Sequence, residues 1–405
     1  GIYRVNGVMD ELHISDIPRF SDATCSGSIL VYTPDPDYHG PDSFTFRASD
    51  GRLDSNDGTV SITVDAVNDT PVTEAGPDQT ADEGELVTFA GSFTDPDTGD
   101  THTYEWNFGD GSAAESGSLT PNHVYADNGT YTVTLTVTDS AGASHQDHLV
   151  VTVQNMAPTV DAGADIAADE GEEISLAPAT FNDLGTSDTH TATIDWGDGD
   201  VAPGPVTETP FGPPGDTAGA DGTVDGSHTY AEDNTYTLTV TVTDDDGAAT
   251  SDTLTVTVSN VPPTAVAGGP YSGNEGSAIP FDGSASRDPG NDIIEYAWDF
   301  NNDGVYDYSS ATPTASNTWI DDGVYTITLR VTDDDGAVGI DTAQVTVHNV
   351  APTAEAAGPY TANEGSPITL DGSGSTDPGL DITNWDWDLD NDGAYDDASG
   401  ETISN

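Results

Sequence analysis

The sequence has 405 residues and a formal net charge of −67, which comes from 73 acidic residues against six basic residues, all arginine. A chain this acidic repels nucleic acid and anionic membrane surfaces, so neither is expected as a partner. The single cysteine, Cys25, excludes an internal disulfide, and no run of about 18 apolar residues predicts a membrane span. We therefore expect several small domains that are held together by packing or by metal ions.

The first 70 residues carry two different patterns. The run NGVMDELHIS at Asn6–Ser15 resembles the last strand of a laminin-G-like or concanavalin-like jelly roll, so residues 1–22 are interpreted as the remnant of such a domain. Residues 23–70 resemble the C-terminal part of bacterial cadherin-like repeats, with strand patterns at Ser43–Ser49 and Thr59–Val64. We interpret this second stretch as a partial cadherin-like module.

A repeated pattern begins with Tyr104–Asp139, which contains YEWNFGDGS, HVY and GTYTVTLTVTD. From Tyr131 onward apolar residues alternate with threonine, and the same alternation returns after Tyr236 and Tyr325. A period of two predicts strands with the apolar side chains on one sheet face and threonine in water. A tyrosine that opens such a strand is typical of the corner of an immunoglobulin-like sandwich. The predicted fold class is therefore all-β, with tandem immunoglobulin-like β-sandwiches arranged as an elongated rod.

These residues resemble the PKD (polycystic kidney disease) repeat, whose signature is W-x-F-G-D-G, then H-x-Y, then G-x-Y-x-V-x-L-x-V-x-D. The resemblance divides the chain into residues 71–156, 157–261 with an insertion at 200–227, 262–350, and 351–405, the last interpreted as truncated. We call these ranges the first to fourth units. The resemblance implies an extracellular module that spaces, adheres or recognises, and it implies no reaction.

One aromatic position recurs in every unit and is expected to lie in the core. We align the Tyr104-x-Trp106 pair with Ile194-x-Trp196, with Tyr296-x-Trp298 and with Trp385-x-Trp387. A sandwich core needs a large side chain on this strand, so the aligned tryptophans are predicted to be buried rather than exposed for sugar stacking.

The joints between units share a signature of Asn followed three residues later by Pro. It occurs at Asn68–Pro71, Asn155–Pro158, Asn260–Pro263 and Asn349–Pro352. Proline ends a strand and stiffens the joint, and the joints are too short to act as flexible tethers. The array is therefore predicted to be a semi-rigid rod. The Pro- and Gly-rich insertion at 200–227 is interpreted as an irregular loop that projects from it.

Two loops have a pattern that favours calcium binding. Oxygen ligands at the first, third, fifth and ninth positions, with a glycine at the sixth and a backbone carbonyl at the seventh, can wrap a Ca²⁺ ion. The candidate ligands are Asp299, Asn301, Asp303, Val305 and Asp307 in the third unit, and Asp388, Asp390, Asp392, Ala394 and Asp396 in the fourth. The glutamate that ends an EF-hand loop is missing, so affinity should be weak. The alternative interpretation is a decorated hairpin turn.

The joints offer a weaker calcium candidate. The first joint resembles the D-x-N-D-N-x-P linker by which cadherins hold calcium between domains, which points to Asp65, Asn68 and Asp69. The later joints keep the asparagine but lose the aspartate, so calcium is expected only at the first. Other acidic residues recur and are interpreted as turn or strand-edge residues; these are Glu83, Glu170, Glu275 and Glu364, and the Asp-Pro loops at Asp95, Asp288 and Asp377.

No pattern in the sequence predicts an enzyme. The metalloprotease H-E-x-x-H and hydrolase G-x-S-x-G motifs are missing from the sequence. The histidines recur at fixed repeat positions, and the paired carboxylates lie in turns where nothing is expected to raise a pKa.

Three functions stay open on the sequence. The first is an extracellular or cell-surface adhesion and spacer scaffold, stiffened by calcium, that contacts its own neighbouring modules and cell-surface proteins, matrix proteins or glycans. The second is the non-catalytic appendage of a secreted hydrolase. The third is a filament subunit, because a truncated sandwich leaves open strand edges that favour self-association.

Overall fold

The computed structural model describes residues 20–26, 29–47 and 52–404, and the secondary structure of these residues consists of strands. The predicted jelly-roll remnant at 1–22 lies almost entirely outside the described residues, so it stays a prediction. Within the described part of the chain no helix has the length and apolar character needed to cross a membrane.

Two antiparallel hairpins precede the first unit. Their strands are β1 (Phe20–Ser26), β2 (Ile29–Pro34), β3 (Gly40–Phe46) and β4 (Gly58–Val64). Strand β1 pairs with β2 and β3 pairs with β4, with Phe44 opposite Val60. The β1–β2 hairpin crosses the boundary between residues 22 and 23 that separated the two predicted N-terminal domains. The strand predicted at Thr59–Val64 corresponds to β4.

The first unit is a sandwich built on a five-stranded sheet. Its strands are β5 (Val72–Glu74), β6 (Gln79–Asp82), β7 (Leu86–Thr88), β8 (Ser92–Thr94), β9 (Thr103–Asn107), β10 (Glu115–Ser116), β11 (Asn122–Val124), β12 (Gly129–Thr138) and β13 (Ser144–Gln154). The large sheet has the order β10-β9-β12-β13-β6, and the pairs β7–β11 and β5–β8 lie outside it. Only the β13–β6 pairing in the large sheet is parallel.

The second unit repeats this plan and adds strands from the insertion. Its strands are β14 (Thr159–Asp161), β15 (Ile166–Asp169), β16 (Glu173–Ser175), β17 (Ala179–Asp183), β18 (His190–Asp195), β19 (Val201–Gly204), β20 (Val206–Glu208), β21 (Ala220–Val224), β22 (Ser227–Thr229), β23 (Asn234–Asp244) and β24 (Ala249–Ser259). The prediction of an irregular loop at 200–227 is wrong, because β19 joins the five-stranded sheet and β20 and β21 extend the opposite sheet to β14-β17-β21-β20.

The third and fourth units differ in completeness within the described residues. The third has β25 (Tyr271–Asn274), β26 (Ala278–Asp282), β27 (Glu295–Asp299), β28 (Tyr308–Ser310), β29 (Thr314–Thr318), β30 (Gly323–Thr332) and β31 (Val338–His348), and the fourth has β32 (Thr369–Asp371), β33 (Asp386–Trp387), β34 (Ala398–Ser399) and β35 (Thr402–Ser404). The third unit repeats the five-stranded sheet as β25-β31-β30-β27-β28. The described strands of the fourth form the pairs β32–β35 and β33–β34.

The predicted alternation is confirmed in the long strands that cross each sandwich. In β12, Val133, Leu135 and Val137 are buried while the threonines between them are half-buried at the sheet's outer face. The hydroxyl of the tyrosine that opens the strand donates to the carbonyl four residues earlier, from Tyr131 to Asp127 at 2.9 Å and from Tyr236 to Glu232 at 2.9 Å. The tyrosine corner expected of an immunoglobulin-like sandwich is therefore present.

The tryptophan alignment is correct for the third unit and wrong by two residues for the second. Trp106 lies opposite Leu135 and Trp298 lies opposite Leu329, but the residue opposite the equivalent Val240 is Ile194. The second unit's tryptophan instead occupies the place of the Phe in the F-G-D-G turn; the Tyr125 hydroxyl donates to the carbonyl of Phe108 and the Tyr230 hydroxyl donates to that of Trp196.

Burial of the four tryptophans follows the completeness of the units. Trp106, Trp196 and Trp298 are buried, whereas Trp387 is only half-buried. In the first and third units a long strand pairs along the tryptophan's strand, but the described residues of the fourth unit pair it only with the two-residue β34. The core prediction therefore holds for three units and is weaker for the fourth.

Replacing Trp298 by Ala should lower the free energy of unfolding of the third unit by about 3–5 kcal/mol, because a fully buried ring leaves a cavity. Calorimetry of the chain should show one unfolding transition at lower temperature. Val324→Ala, at a side chain that is 68% exposed, is the matched control and should shift it little. Equal shifts from the two variants would contradict the core assignment.

Candidate metal centres

The predicted loop of the third unit is organised by one buried carboxylate. Asp299 ends β27 and is 2% exposed. Its Oδ1 accepts a hydrogen bond from the backbone N–H of Asn302 at 2.7 Å, and its Oδ2 accepts one from Gly304 at 2.8 Å. Asp303 Oδ1 accepts from the N–H of Val305 at 2.8 Å, and Asp307 Oδ2 accepts from the N–H of Phe300 at 2.8 Å. The four side-chain oxygens thus fold the loop back on itself.

Two residues in this loop need a left-handed backbone. Asn302 has φ of 57° and Gly304 has φ of 87°, a region that asparagine and glycine adopt at the least cost. The amide oxygen of Asn302 accepts a hydrogen bond from the Thr328 hydroxyl at 2.8 Å, which ties the loop to β30. The sequence N-D-G therefore sets the turn, and the turn sets where the aspartates lie.

The loop of the fourth unit repeats this arrangement with one shift. Asp388 Oδ2 accepts from the N–H of Gly393 at 3.0 Å, as Asp299 does in the third unit. The place of Asp307 is taken by Asp397, whose Oδ2 accepts from the N–H of Leu389 at 2.6 Å, while the predicted ligand Asp396 is exposed. These bonds satisfy the turn interpretation. They do not exclude a cation, since an oxygen such as Asp303 Oδ1 accepts one hydrogen bond and keeps a second lone pair. Calcium at the two loops stays a prediction.

The first joint brings together two of its three predicted residues and other carboxylates that were not predicted. Asn68 Nδ2 donates to Asp139 Oδ2 at 2.9 Å, and the Asp69 backbone N–H donates to Asp97 Oδ2 at 2.7 Å. Asp65 is exposed. Carboxylate oxygens of Asp95, Asp100 and Asp139 lie within 4.8 Å of one another beside this joint.

The recurring glutamates lie in turns, as the sequence suggests, but three of them are buried at the joints. Glu83, Glu170 and Glu275 are 0%, 3% and 1% exposed, whereas Glu364 is exposed. Each buried glutamate accepts a hydrogen bond from a linker N–H two residues before the proline of the joint. The bonds run from Met156 to Glu83 at 2.6 Å, from Val261 to Glu170 at 2.8 Å and from Val350 to Glu275 at 2.7 Å. The repeated E-G pair after an acidic or amide residue was the available signal in the sequence.

The sequence predicts that nothing raises the pKa of the paired carboxylates. Two carboxylates at the joint between the first and second units differ from that prediction. Burial raises the pKa of Glu83 to about 7, and the nearby Asp183 carboxylate adds to this shift. Burial raises the pKa of Asp188 to about 8, with further contributions from the Glu83 and Asp183 carboxylates. His190 Nε2 lies 2.9 Å from Asp183 Oδ2 and its Nδ1 lies 2.7 Å from Glu208 Oε2. The joint is therefore a cluster of like charges with one histidine at its side.

Comparison with protein families matches most of the chain to a single model. The PKD domain model matches residues 68–153, 155–258, 260–347 and 349–405, and a bacterial Ig domain model matches residues 9–63. The second match spans the boundary that we predicted between the jelly-roll remnant and the cadherin-like module.

The similar curated proteins are long. The chain is 31% identical over 329 residues to the mouse dyslexia-associated protein KIAA0319 homolog and 32% identical over 335 residues to human dyslexia-associated protein KIAA0319; each match covers 76% of this chain. The chain spans 29% of the length of each of these relatives. Collagenase ColA of Bacillus cereus is 41% identical over 70 residues, which is 17% of this chain and 7% of the collagenase.

Among solved structures, Drosophila N-cadherin EC1-4 is similar at 16% identity with a TM-score of 0.25, over 86% of this chain and 94% of that one. The score is too low for any argument about sites or function.

Calcium at the third-unit loop is tested by Asp303→Asn combined with Asp307→Asn, because asparagine keeps the acceptor oxygen that each turn uses. At fixed high NaCl, millimolar Ca²⁺ should raise the melting temperature of the wild-type unit by mass action, as RT ln(1 + [Ca²⁺]/Kd). The double variant should lose this response. Sodium chloride alone should not replace calcium, since it screens without coordinating. Identical calcium titrations of the two proteins would leave the loop a turn and nothing more.

The buried carboxylates predict a pH dependence in chelator. A carboxyl whose folded pKa is raised stabilises the fold below its unfolded pKa and loses that contribution as pH rises through the folded value. The melting temperature should therefore fall as pH rises from about 5 to about 8.5, through the folded pKa values of Glu83 and Asp188. Glu83→Gln with Asp188→Asn should flatten this slope. An unchanged slope in that variant would assign the dependence to other groups, of which Asp127, Asp183, Asp244 and His190 are the nearest.

Proposed function

Because the chain belongs to the PKD domain family, with four matched domains in tandem, we propose that it is an extracellular spacer and adhesion scaffold whose joints are held rigid. The observation that carries this proposal is the packing at the joints. The two joints that flank the second unit are fixed by hydrogen bonds from both sides, and the linker between the third and fourth units is bonded to the third, so we infer that neighbouring units hold a defined orientation.

The linkers are bound to the units on either side of them. At the joint between the first and second units, the N–H of Met156 donates to Glu83 of the first unit, and Asn155 Nδ2 donates to Asp244 Oδ2 of the second at 3.2 Å. At the next joint, Asn260 Nδ2 donates to Asp333 Oδ2 at 3.3 Å. A linker with bonds to both neighbours cannot act as a free tether.

Close contact between units depends on a glycine that follows each buried glutamate. A Cβ added to Gly84 would lie 2.8 Å from the Leu184 side chain, one added to Gly171 would lie 2.5 Å from Pro289, and one added to Gly276 would lie 2.6 Å from Pro378. Each of these glycines has a positive φ, so any other residue there would be both strained and in collision. The same contact therefore recurs at all three joints.

The insertion of the second unit braces the joint that precedes it. The N–H of Gly215 donates to the carbonyl of Val124 in the first unit at 2.9 Å, and that of Ser187 donates to the carbonyl of Ala126 at 2.9 Å. The N–H of Phe211 donates to Thr186 within the second unit at 2.6 Å, which holds the insertion against the joint. Such a reach across the joint favours a mechanical role for the insertion over a role as a projecting binding loop.

The partners and place of action follow from composition and family. The net charge of −67 keeps the rod soluble, repels nucleic acid and anionic membrane surfaces, and attracts cations, so calcium is proposed as the ion that stiffens the array. We propose cell-surface proteins, matrix proteins or glycans as partners, and the outside of the cell or its surface as the location. Self-association into a filament is the weaker alternative.

A second candidate function is supported by the collagenase match. The 41% identity to collagenase ColA extends over 70 residues, so it is a similarity of one segment and not of the whole protein. It favours the chain as a non-catalytic appendage of a hydrolase. The reading frame on either side of these 405 residues discriminates the two: a catalytic signature supports the appendage, and further repeats with an anchor support the scaffold.

The rigid-joint proposal predicts that small-angle scattering in high salt gives a maximum dimension close to the summed lengths of the units. Insertion of Gly-Ser-Gly-Ser after Met156 should break the linker's bonds and broaden the distance distribution. The same insertion after Gly117, where an added side chain meets nothing within 4 Å, is the matched control and should leave the distribution unchanged. A broad distribution for the wild type would refute the rigid spacer.

A further inference from the structure

Three acidic clusters outside the predicted loops lie at equivalent places in the array, one at each joint between consecutive units. We propose that each of these joints binds a divalent cation, with calcium the best match, between the buried glutamate of one unit and an aspartate pair of the next. This proposal deepens the proposed function, because it names the ligand that fixes the joint.

The first cluster gathers oxygens from both units. Glu83 comes from the turn between β6 and β7, Asp127 from the turn before β12, and Asp188 from the loop between β17 and β18 of the second unit. One carboxylate oxygen of each lies within 4.8 Å of the others, and the same holds for Asp183, Asp188 and Asp244. Two oxygens that bind one Ca²⁺ ion at about 2.4 Å lie at most about 4.8 Å apart. The spacing therefore suits a single ion shared by ligands of both units.

Oxygens that face this cluster are buried and have no protein partner. Glu83 is 0% exposed and Asp188 is 4% exposed, yet Glu83 Oε2 and Asp188 Oδ2 have no hydrogen-bond partner among the described residues. The Oδ1 atom of Asn155 in the linker is likewise buried and unpartnered. Burying an unpaired carboxylate is costly unless a cation or a donor compensates it. The remaining bonds of these groups hold them in place for such a cation.

Few cations of the chain are available to compensate this cluster. The sequence has no lysine. Three of the four arginines among the described residues have partners away from this cluster: Arg47 pairs with Asp57, Arg330 pairs with Glu295, and Arg287 donates to the carbonyls of Ser284 and Ser286. These three are therefore engaged elsewhere.

Histidine does not compensate the cluster either. Both ring nitrogens of His190 are occupied, by Asp183 and Glu208. We therefore infer that an external ion supplies the positive charge beside Glu83 and Asp188.

The joint between the second and third units repeats the cluster with different residues. Oxygens of Glu170, Asp288 and Asp292 lie within 4.8 Å of one another. Glu170 Oε2, Asp288 Oδ2 and both side-chain oxygens of Asp292 are buried and unpartnered, as is Oδ1 of the linker Asn260. The two loops, D-L-G-T-S-D at 183–188 and D-P-G-N-D at 288–292, differ in length by one residue, yet both place buried, unpartnered oxygens beside the buried glutamate.

The joint between the third and fourth units has residues of the same types at the same sequence positions. Glu275 is 1% exposed and its Oε2 is buried and unpartnered, and Asp377 is 5% exposed. Asp381 occupies the place of Asp292 in the sequence but is exposed. Desolvation raises its pKa, and the neighbouring Asp377 carboxylate adds to this shift. The loop that carries these residues, D-P-G-L-D, has the same length as D-P-G-N-D of the third unit.

A glycine keeps space beside the orphan oxygens at each joint. A Cβ added to Gly185 would lie 2.3 Å from Asp188 Oδ2 and 2.9 Å from the Glu83 carboxyl carbon. A Cβ added to Gly290 would lie 2.7 Å from Asp292 Oδ2, and one added to Gly379 would lie 3.2 Å from Glu275 Oε2. Only glycine leaves these oxygens accessible to one another, which fits a site that must admit an ion.

The ligand set identifies the class of ion. Carboxylate and amide oxygens are hard ligands that suit Ca²⁺ or Mg²⁺, and neither a thiolate nor a free imidazole belongs to the first cluster. Calcium accepts six to eight oxygens in irregular geometry, whereas magnesium demands a near-ideal octahedron and keeps several waters. Ligands that come from two separate units and a linker are more easily arranged around calcium, because calcium tolerates irregular geometry.

The test counts bound calcium in the full chain. After removal of metal with chelator, equilibrium dialysis with labelled Ca²⁺ at fixed high NaCl gives the number of ions bound. Glu83→Gln with Asp188→Asn keeps size and hydrogen bonding but removes two charges, and it should lower the stoichiometry by one. The same change at the joint between the second and third units, Glu170→Gln with Asp292→Asn, should also lower the stoichiometry by one relative to the wild type. The variant that combines all four substitutions should lack both ions.

The matched control places the same chemical changes on exposed carboxylates of the second unit, Asp161→Asn with Glu173→Gln. It should bind as many ions as the wild type. Circular dichroism in chelator confirms that each variant is folded. Equal stoichiometry for the joint variants and the wild type would overturn the proposal. It would also be overturned if calcium did not bind and the joint variants melted higher than the wild type in chelator, since protons then neutralise the cluster.

Failure of this proposal and failure of the spacer function give different results. If the chain binds calcium at the joints but its scattering is that of a flexible chain, the calcium sites are supported and the spacer function is refuted. If the chain scatters as a rod with or without calcium and binds no calcium at the joints, the spacer function is supported and the calcium sites are refuted. The loop variants Asp303→Asn and Asp307→Asn separate any ion of the third-unit loop from those of the joints.

Discussion

The hydrogen bonding of the buried glutamate at each joint between consecutive units is the interaction on which the architecture of the array depends. Its backbone N–H donates to the carbonyl of the last strand, as from Glu83 to Gln154 at 3.1 Å, and its carboxylate accepts from the linker two residues later. One residue thus fixes both the end of the sheet and the direction in which the chain leaves it. The next glycine then allows the following unit to approach. The orientation of neighbouring units is set by local geometry that repeats with the sequence.

The sandwich core and the joint are coupled through the last strand of each unit. In the first unit β13 pairs along ten residues with β12 and in parallel with β6, whose end carries the glutamate turn. A core that holds β12 and β13 in register therefore also holds Glu83 at the height of the linker. This coupling explains why a repeat that is defined by core residues such as Tyr131 and Val133 carries its acidic residues at constant positions.

The all-β fold and the buried faces of the long strands could be predicted from the sequence, because a period of two and a tyrosine corner determine them. The alternation after Tyr131 sets which side chains are buried, because neighbours on a strand point to opposite faces. The alignment of Trp196 was wrong because the W-G-D-G turn was matched by its tryptophan rather than by its G-D-G, which fixes the turn geometry.

The insertion and the glutamates depended on information that lies outside their own segments. Pro and Gly in 200–227 indicated a loop, but pairing of β20 and β21 with β17 gives the segment a sheet to extend. Glu83 looked like a turn or strand-edge residue because Gly185 and Asp188, which lie beside its carboxyl group, are about a hundred residues later, in the next unit. The sequence pattern within one unit does not predict burial that arises from contact with the next unit.

The acidity of the chain consequently has two physical origins that composition cannot separate. Aspartates such as Asp299 and Asp139 have oxygens engaged by several backbone N–H groups, and there the charge is compensated by the turn itself. Glu83 and Asp188 have oxygens with no such donor, and there the charge remains uncompensated within the protein. Screening by salt acts on exposed charges and reaches buried ones poorly. High salt alone therefore relieves repulsion along the rod's surface but not at its joints, and the rigidity of the array should depend on whichever ion or proton enters them.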